Sequence, residues 1–344
     1  MKAAIIGATG YGGAELIRLL NDHDHVSNIT VYSSSKAGES LSGLFPHLAG
    51  SGMNPVLQKI EPQKIEADVV FLATPSGVSA KLTPQLIQEG LTVIDLSGDF
   101  RIKNSADYEK WYNKPAPDSA FLDEAVYGLT EWEKENVRSA NLIANPGCYP
   151  TAVLLALGPL LKNGLIDPRR IIVDAKSGVS GAGRGTSLTA HFGEMSENFK
   201  AYKVNRHQHI PEIEQQLSKW DGSTGPISFT THLVPMVRGI LSTIYVELNK
   251  GLTEKDVSGI YMDEYAGEPF VRIRDPEDVP ATKEVRGSNF CDIGFSVDPR
   301  TGRTTIVSAI DNLVKGAAGQ AVHNMNVRFG FDEKTGLKQV PVYP

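Results

Sequence analysis

Cysteine is nearly absent from this chain: 344 residues carry two, Cys148 and Cys291, far apart and in no CxxC spacing. That scarcity speaks against a disulfide framework and against a zinc ribbon, and it fits a reducing compartment, so the cytoplasm is the expected location. Long apolar runs are missing as well. Gly, Pro or charge breaks each one short of a membrane span, and Gly7 cuts the apolar start Met1 to Ile6 before it could serve as a secretory signal. Nor is there a basic run or an acidic tail: Lys and Arg are scattered and the net charge is −6, which gives nucleic acid no surface to follow. Repeats and low-complexity segments are not evident. What these absences leave is a soluble protein that handles a small molecule, and the length points to about two domains.

What is present begins at residue 2. Lys2 to Ile6 reads as a short buried strand, and it runs through Gly7-Ala8-Thr9-Gly10-Tyr11-Gly12-Gly13 into the helical pattern Ala14 to Leu20. Strand, glycine turn and helix in that order let the backbone approach a pyrophosphate and turn free N–H groups toward it. The spacing is GxxGxxG, not the commoner GxGxxG; a glycine cluster alone is often a tight turn, and here the strand–helix context carries the reading. A second strand, Asn28 to Tyr32, ends in Ser33-Ser34-Ser35-Lys36, where NAD-preferring folds usually carry an acid for the ribose. Hydroxyls and one Lys suit the 2′-phosphate of NADP, although such a run is otherwise an ordinary solvated loop.

Asp68 to Ala73 is a third strand, closed by Thr74-Pro75-Ser76-Gly77, and Ser79 to Glu89 is a helix that Pro84 is expected to break. A fourth strand, Leu91 to Leu96, opens onto Asp95-Leu96-Ser97-Gly98-Asp99-Phe100-Arg101; its acids suit a ligand site at a strand's carboxyl end, or equally turn and cap positions. Tyr108 to Ser119 reads as an aromatic, Pro-rich loop, and Asn141 to Ala144 as a strand.

That strand leads into Asn145-Pro146-Gly147-Cys148-Tyr149-Pro150-Thr151 and the apolar run Ala152 to Leu161. One thiol thus stands at a chain reversal before a buried helix, since Pro146 and Gly147 are turn residues and Pro150 is tolerated only in a first helical turn. The positive helix end favours thiolate over thiol and makes the sulfur a nucleophile. For a lone cysteine the alternative is a small buried core residue.

Beyond that helix the strands lengthen and a second domain begins. Arg170 to Lys176 is a strand, followed by Ser177 to Gly185, whose glycines, serines and Arg184 could hold a phosphate or an oxyanion, the alternative being a flexible lid. His207-Gln208-His209 stands just before a helix that starts at Pro211 and runs to Trp220, with Glu212 in its first turn. The His pair permits a metal, but no further ligand cluster completes one, so none is expected. Pro226 to Leu233 and Ile240 to Leu248 read as antiparallel strands around an Arg238 loop; Cys291 looks structural, and Asn312 opens a small-faced helix as a cap or a cofactor contact. The expected class is therefore α/β: a Rossmann-like NADP-binding domain over residues 1–148 and 311–344, and an α+β substrate domain with a mainly antiparallel sheet over 149–310.

A nucleotide fold, a strand-end Cys, nearby His and Arg-bearing anion loops together describe interconversion of an aldehyde and an acyl phosphate through a thioester. The chain resembles the N-acetyl-gamma-glutamyl-phosphate reductases of arginine biosynthesis, relatives of aspartate-semialdehyde dehydrogenase. The likeness rests on Gly7 to Gly13, Asp95 to Arg101, Asn145 to Thr151, Ser177 to Arg184, His207 to Glu212, Arg286-Gly287-Ser288-Asn289, and the run Asp311 to Ala321. It implies NADPH-dependent reduction of N-acetyl-L-glutamyl 5-phosphate to the 5-semialdehyde and phosphate by a homodimer or homotetramer, and it adds oligomerisation to the role of the 149–310 domain. Cys148 is then the nucleophile, and His207 or His209 the acid/base. Gly7, Thr9, Gly10, Tyr11, Gly12 and Gly13 are expected against the cofactor, as are Ser33, Ser34, Ser35 and Lys36, Thr74, Pro75 and Ser97. Ser177, Gly178, Gly181, Ala182 and Asn312 join them from further along the chain. Arg101, Tyr149, Ser180, Arg184, Glu212 and Arg238 are expected against the substrate or its phosphate. Gln208 departs from the family, which commonly has Arg between the two His. Aspartate-semialdehyde dehydrogenase, or a reductase of carrier-linked glutamyl or aminoadipyl groups, would use the same thiol chemistry. A Cys–His hydrolase leaves the glycine turn unexplained, and a non-catalytic NADP sensor needs no nucleophile.

Overall fold

The computed structural model describes residues 1–50, 54–249, 251–275 and 278–343. The chain folds into two compact units: Met1–Pro146 with Ala317–Lys338, and Gly147–Gly316 with the last residues from Gln339. It passes from the first unit to the second at 146/147, so Cys148 is the second residue of unit 2.

In unit 1 the order is β1 (Lys2–Ile6), α1 (Tyr11–Asn21), β2 (Asn28–Tyr32), α2 (Leu41–Leu44), β3 (Val69–Leu72), α3 (Ser79–Gln88) and β4 (Thr92–Asp95). Then come α4 (Ser105–Tyr112), α5 (Ser119–Glu124), β5 (Val126–Tyr127), α6 (Thr130–Ser139) and β6 (Leu142–Ala144). The sheet runs β2-β1-β3-β4-β6-β5 with every pairing parallel. Parallel strands covered on both faces need apolar residues at successive positions, and β3 and β4 are buried along their whole length.

Two expectations for this unit are corrected. Pro84 does not break α3: the helix continues through it with Thr83 and Leu86 buried, so burial of that face outweighs one missing N–H. The aromatic stretch is not a loop from Tyr108 onward. Asn104 caps α4 by accepting a bond from the Asp107 N–H, Asn113 ends it in the left-handed region at φ 54°, and fully buried Tyr108 anchors it.

Unit 2 opens with α7 (Cys148–Lys162), followed by β7 (Ile172–Ser177), α8 (Phe192–Met195), β8 (Lys200–Tyr202), α9 (Ile210–Trp220), β9 (Ser228–Leu233) and β10 (Ile240–Glu247). α10 (Glu254–Glu264), β11 (Val271–Ile273), β12 (Cys291–Asp298) and β13 (Arg303–Ile310) complete it, and α11 (Gly319–Phe329) belongs to unit 1. The seven-stranded sheet, β11-β12-β13-β10-β7-β9-β8, is mixed: four of its six pairings are antiparallel, whereas β7 pairs with β9, and β11 with β12, in parallel, so the expected mainly antiparallel sheet is not exact. β9 and β10, expected as antiparallel partners, are separated by β7, which lies between them. α7 contains Pro159, which cannot donate to the Leu155 carbonyl. The hydroxyls of buried Tyr265 and Tyr261 on α10 donate to the Leu155 and Ala156 carbonyls, so the proline leaves no buried acceptor orphaned there.

The glycine turn shows why side chains are excluded from it. Gly7 sits at φ 89°, and a Cβ there would lie 2.3 Å from the Ala73 carbonyl oxygen; one on Gly13 would lie 2.5 Å from the Gly7 oxygen. At Gly12 the nearest atom would be the Ala73 Cβ at 4.0 Å. Opposite responses follow. Gly13→Ala is expected to lower the unfolding free energy by about 1–3 kcal/mol through overpacking. Gly12→Ala, which adds a good helix former in open space, leaves it unchanged or raises it by about 0.5–1 kcal/mol. Urea titration of both variants checks the pair.

Candidate active site

In unit 1 the turn after β1 has the geometry expected of a pyrophosphate cradle. Gly10 caps α1 without any side-chain bond, so the first turn's N–H groups have no capping acceptor from it, while a Cβ on Gly10 would meet only the Gly7 oxygen at 3.6 Å. Thr9 is half-buried beside it and Tyr11 is exposed. At the end of β2, the buried Ser33 hydroxyl accepts bonds from the Ser35 and Lys36 N–H groups at 3.4 and 3.2 Å, which turns Ser34, Ser35 and Lys36 outward. Lys36 Nζ lies 2.9 Å from exposed Glu39, a pairing that solvent keeps weak. The glycine cradle and this exposed hydroxyl-and-lysine edge fit a dinucleotide carrying a 2′-phosphate.

The third strand end is a closed network. Thr74 Oγ1 is 2.9 Å from Ser79 Oγ; Pro75 accepts a backbone bond from Val78. Asp99, fully buried, caps α3 by accepting from Gly77 and Ala80 N–H groups at 2.8 and 2.9 Å and from Tyr108 OH at 2.8 Å. Of the two readings open for the Asp95 to Arg101 acids, the cap is the one Asp99 takes. Ser97 Oγ accepts from the Asp99 N–H at 3.2 Å. Arg101, 6 % exposed, donates to the carbonyls of Asn145 at 2.7 Å and Leu96 at 2.8 Å, so part of its guanidinium braces the backbone at the end of β6.

In unit 2 the thiol is carried by the first residue of α7. Gly147 is the N-cap, in extended conformation and with no side chain to offer. Its N–H is met instead by the carboxylate of Glu212 at 2.8 Å, and Glu212 is fully buried in the first turn of α9. That bond ties the cysteine turn to the helix whose N-cap is His209. On the other side, a Cβ at Gly316 would lie 2.8 Å from the Cys148 Cβ, so only glycine fits there.

Tyr149 links the thiol turn to the histidines. Its ring meets His207 edge-on at 5.3 Å and His209 at 6.0 Å, and the two imidazoles are 4.7 Å apart. The Tyr149 hydroxyl is 3.1 Å from that of Tyr202, whose oxygen in turn is 3.5 Å from His207 Nε2. Burial pushes both phenols above their ordinary range, Tyr202 to about 12, and the nearby Cys148 charge contributes to each. His207, 4 % exposed, is pushed down to about 3 by burial and then by Lys203. Its Nδ1 accepts the His209 backbone N–H at 3.2 Å, which assigns the proton of the neutral ring to Nε2. The turn that delivers it is strained: Lys203 and Asn205 sit at φ 45° and 55°. Gln208 accepts from Lys203 Nζ at 2.6 Å.

The Ser177 to Gly185 segment folds into a short 3-10 turn, Val179–Ala182, with Gly181 and Ala182 exposed and Ser177 and Ser180 buried. Ser177 Oγ donates to the Gly178 carbonyl at 3.0 Å, and Ser180 Oγ accepts from Asn312 Nδ2 at 2.9 Å. Asn312 also accepts the Gly239 N–H at 2.7 Å, so it locks two loops together and caps no helix. Arg238 lies 3.4 Å from Asp311, and Arg184 is exposed. Tyr202 does not stand out in the sequence; Asp311 and Gly316 lie in the run that carries the family likeness, but the part each plays appears only when distant segments meet. Among the described residues no group of three metal-ligating side chains is assembled, and no helix is long and apolar enough to cross a membrane.

Comparison with known proteins agrees over the whole chain. Residues 2–140 match the semialdehyde dehydrogenase NAD binding domain, and residues 148–312 the semialdehyde dehydrogenase dimerisation domain. The N-acetyl-gamma-glutamyl-phosphate reductase of Geobacillus stearothermophilus is 57% identical over 345 residues, and that of Halalkalibacterium halodurans 56% over 346, each covering 100% of both chains. Among solved structures, aspartate semialdehyde dehydrogenase II from Vibrio cholerae, complexed with ASA, superposes with TM-score 0.73 at 19% identity, covering 96% of this chain and 98% of that one. The enzyme from Candida albicans with NADP does so at 0.68 and 18%, covering 95% and 97%. At those identities the likeness concerns the fold.

Two measurements follow from the geometry. Glu212→Ala strands the Gly147 N–H and is expected to cost about 1–3 kcal/mol of stability, with Glu212→Gln, which keeps an acceptor, largely restoring it in the same denaturation assay. Because burial holds His207 down at about 3, below its ordinary 6.5, the unfolded chain binds the extra proton between those values. Stability is therefore expected to fall as pH drops from 6.5 toward 3. Thermal melts across that range should show a shallower slope for His207→Phe.

Proposed function

The chain belongs to the N-acetyl-gamma-glutamyl-phosphate reductase family, which reduces N-acetyl-L-glutamyl 5-phosphate to N-acetyl-L-glutamate 5-semialdehyde and phosphate in arginine biosynthesis, and we propose how its own side chains divide that work. Unit 1 holds NADP: its pyrophosphate on the Gly7 to Gly13 turn, its 2′-phosphate at Ser34, Ser35 and Lys36. NADPH, when bound, supplies the hydride that takes the acyl carbon to the aldehyde level.

Cys148 is the nucleophile. Its sulfur attacks the acyl carbon of the substrate, the carbon–oxygen bond to phosphate breaks, and the acyl group rests on the protein as a thioester. The start of α7 favours the thiolate, because the partial positive charge of a helix N-terminus stabilises negative charge. His207, neutral and with its proton on Nε2, serves the oxygen that becomes charged as the acyl carbon turns tetrahedral, and Tyr202 orients that ring. His209 stands beside it as the alternative donor. Tyr149 and Glu212 act as positioning residues, Tyr149 between thiol turn and imidazoles, Glu212 on the Gly147 N–H. Arg238 and Arg184, with the 3-10 turn after β7, receive the phosphate and the substrate carboxylate.

The single observation that carries this assignment is the Glu212 bond to Gly147, which fixes a helix-starting cysteine to the helix that His207 and His209 lead into. The active form is a homodimer or homotetramer, supported by the dimerisation-domain match and by Ile172 and Tyr245 standing 50% and 36% exposed on the sheet of unit 2. A chain with only two cysteines, Cys148 and Cys291, far apart in sequence, is in keeping with a reducing cytoplasm.

Cys148→Ser is expected to abolish oxidation of N-acetyl-L-glutamate 5-semialdehyde with NADP and phosphate while leaving NADP affinity intact. Retained turnover, or a wild-type preference for aspartate semialdehyde, would overturn the assignment.

A further inference from the structure

The motif Arg286-Gly287-Ser288-Asn289 has no part in the chemistry described so far, and one of its residues is anomalous. Asn289 is 1% exposed, yet among the described residues neither its Oδ1 nor its Nδ2 has a hydrogen-bond partner. Its neighbours are all engaged: the Gly287 N–H donates to Asp311 at 2.7 Å, the Ser288 hydroxyl to the Val285 carbonyl at 2.8 Å, and the Phe290 N–H to Ser288 Oγ at 3.4 Å. Leaving a buried carboxamide wholly unmet is costly, and a native residue that does so calls for a partner that arrives later.

Register places that carboxamide at the end of the sheet where the thiol lies. Cys291 of β12 pairs with Ile310 of β13, Ile310 with Ile240 of β10, and Ile240 with Ser177 of β7. Asn289 stands two residues before Cys291, and Asn312, which locks the Ser180 and Gly239 loops, two residues after Ile310. Ile310 itself comes within 3.2 Å of the Cβ position of Gly316, the same position that is 2.8 Å from Cys148. One sheet end therefore gathers the thiol, the anion loops and a buried amide that no described residue meets.

We propose that Asn289 is the specificity-determining residue that reads the acetamido group of the substrate. The inference rests on the reaction proposed above. A carboxylate or a phosphate offers acceptors only and would set negative charge against Oδ1; an ammonium offers donors only and would crowd Nδ2. Of the groups on an N-acylated glutamyl phosphate, the secondary amide alone is neutral and carries both an N–H and a C=O. Its C=O can take an Nδ2 proton, or its N–H can donate to Oδ1, with water bridging the remaining atom. A site built to hydrogen-bond one group discriminates strongly against a substrate lacking it, because the buried partner is then left unmet.

The test pairs two substrates with two variants. Wild type, Asn289→Leu and Asn289→Ala are assayed with NADP and phosphate on 2-acetamido-5-oxopentanoate and on 5-oxopentanoate, the same chain with hydrogen in place of the acetamido group. Asn289→Leu keeps the volume and removes only the unmet polar atoms, so it folds where the smaller variant does not. The expected result is that kcat/KM for the acetamido substrate falls roughly 10- to 100-fold in the variants. For 5-oxopentanoate it changes by less than about threefold. Equal losses on both substrates, or no loss on either, would overturn the role of Asn289. A wild type inactive on the acetamido substrate would instead overturn the reaction itself, and this role with it.

Discussion

A hydrogen bond between a backbone N–H and a buried carboxylate holds the reactive part of this molecule together. Gly147 has no side chain with which to cap α7, and a buried helix start cannot leave its N–H groups to chance. Glu212 supplies the acceptor from another helix, fully buried and 2.8 Å away. Because Glu212 lies in the first turn of α9, the same bond fixes where His209 and His207 stand. A capping requirement that many helices satisfy locally is here satisfied at long range, and the long range brings the cysteine turn and the two histidines together. Gly316 completes the arrangement by offering no Cβ where Cys148 needs the space.

A second constraint shapes unit 1. Its closing helix, α11, buries Gln320, Asn324 and Asn326, and each must find partners inside. Asn324 donates to Gly128 O and Asn145 Oδ1 and accepts from Thr130; Gln320 donates to Gly128 O and Thr130; Asn326 binds His23 and the carbonyls of Glu333 and Thr335. Asn145 is thereby held by both its side chain and, through Arg101, its carbonyl. The last residue but one of the first segment of unit 1 is firmly restrained. Rigid support of this kind is what lets a chain present its functional residues to within fractions of an ångström.

How much of this is legible in sequence depends on the distance over which each feature is decided. The strand and glycine turn at Lys2 to Gly13 and the cysteine turn at Asn145 to Thr151 are local, and their elements stand where the spacing puts them. Helix α4 is hidden by its aromatics, which draw attention from Asn104, although the cap is legible in Asn104-Ser105-Ala106-Asp107. The pairing of β7 with both β9 and β10 is not legible, since alternation along a strand says which face is buried and nothing about which strand lies beside it. Asn312 shows the same limit at one side chain: expected as a helix cap or a cofactor contact, it clasps two loops together. Tyr202 and Asn289 gain meaning only from neighbours far away in the chain.

The central claim is that the acyl group passes through a covalent bond to Cys148. Its most direct measurement is intact-protein and peptide mass spectrometry of the enzyme mixed with N-acetyl-L-glutamyl 5-phosphate in the absence of NADPH. The account predicts a mass increase equal to one N-acetylglutamyl group, localised to the peptide containing Cys148 and removed by hydroxylamine. An unmodified Cys148 in that NADPH-free mixture, in enzyme that is fully active once NADPH is added, or an acyl group stably attached elsewhere, would contradict it.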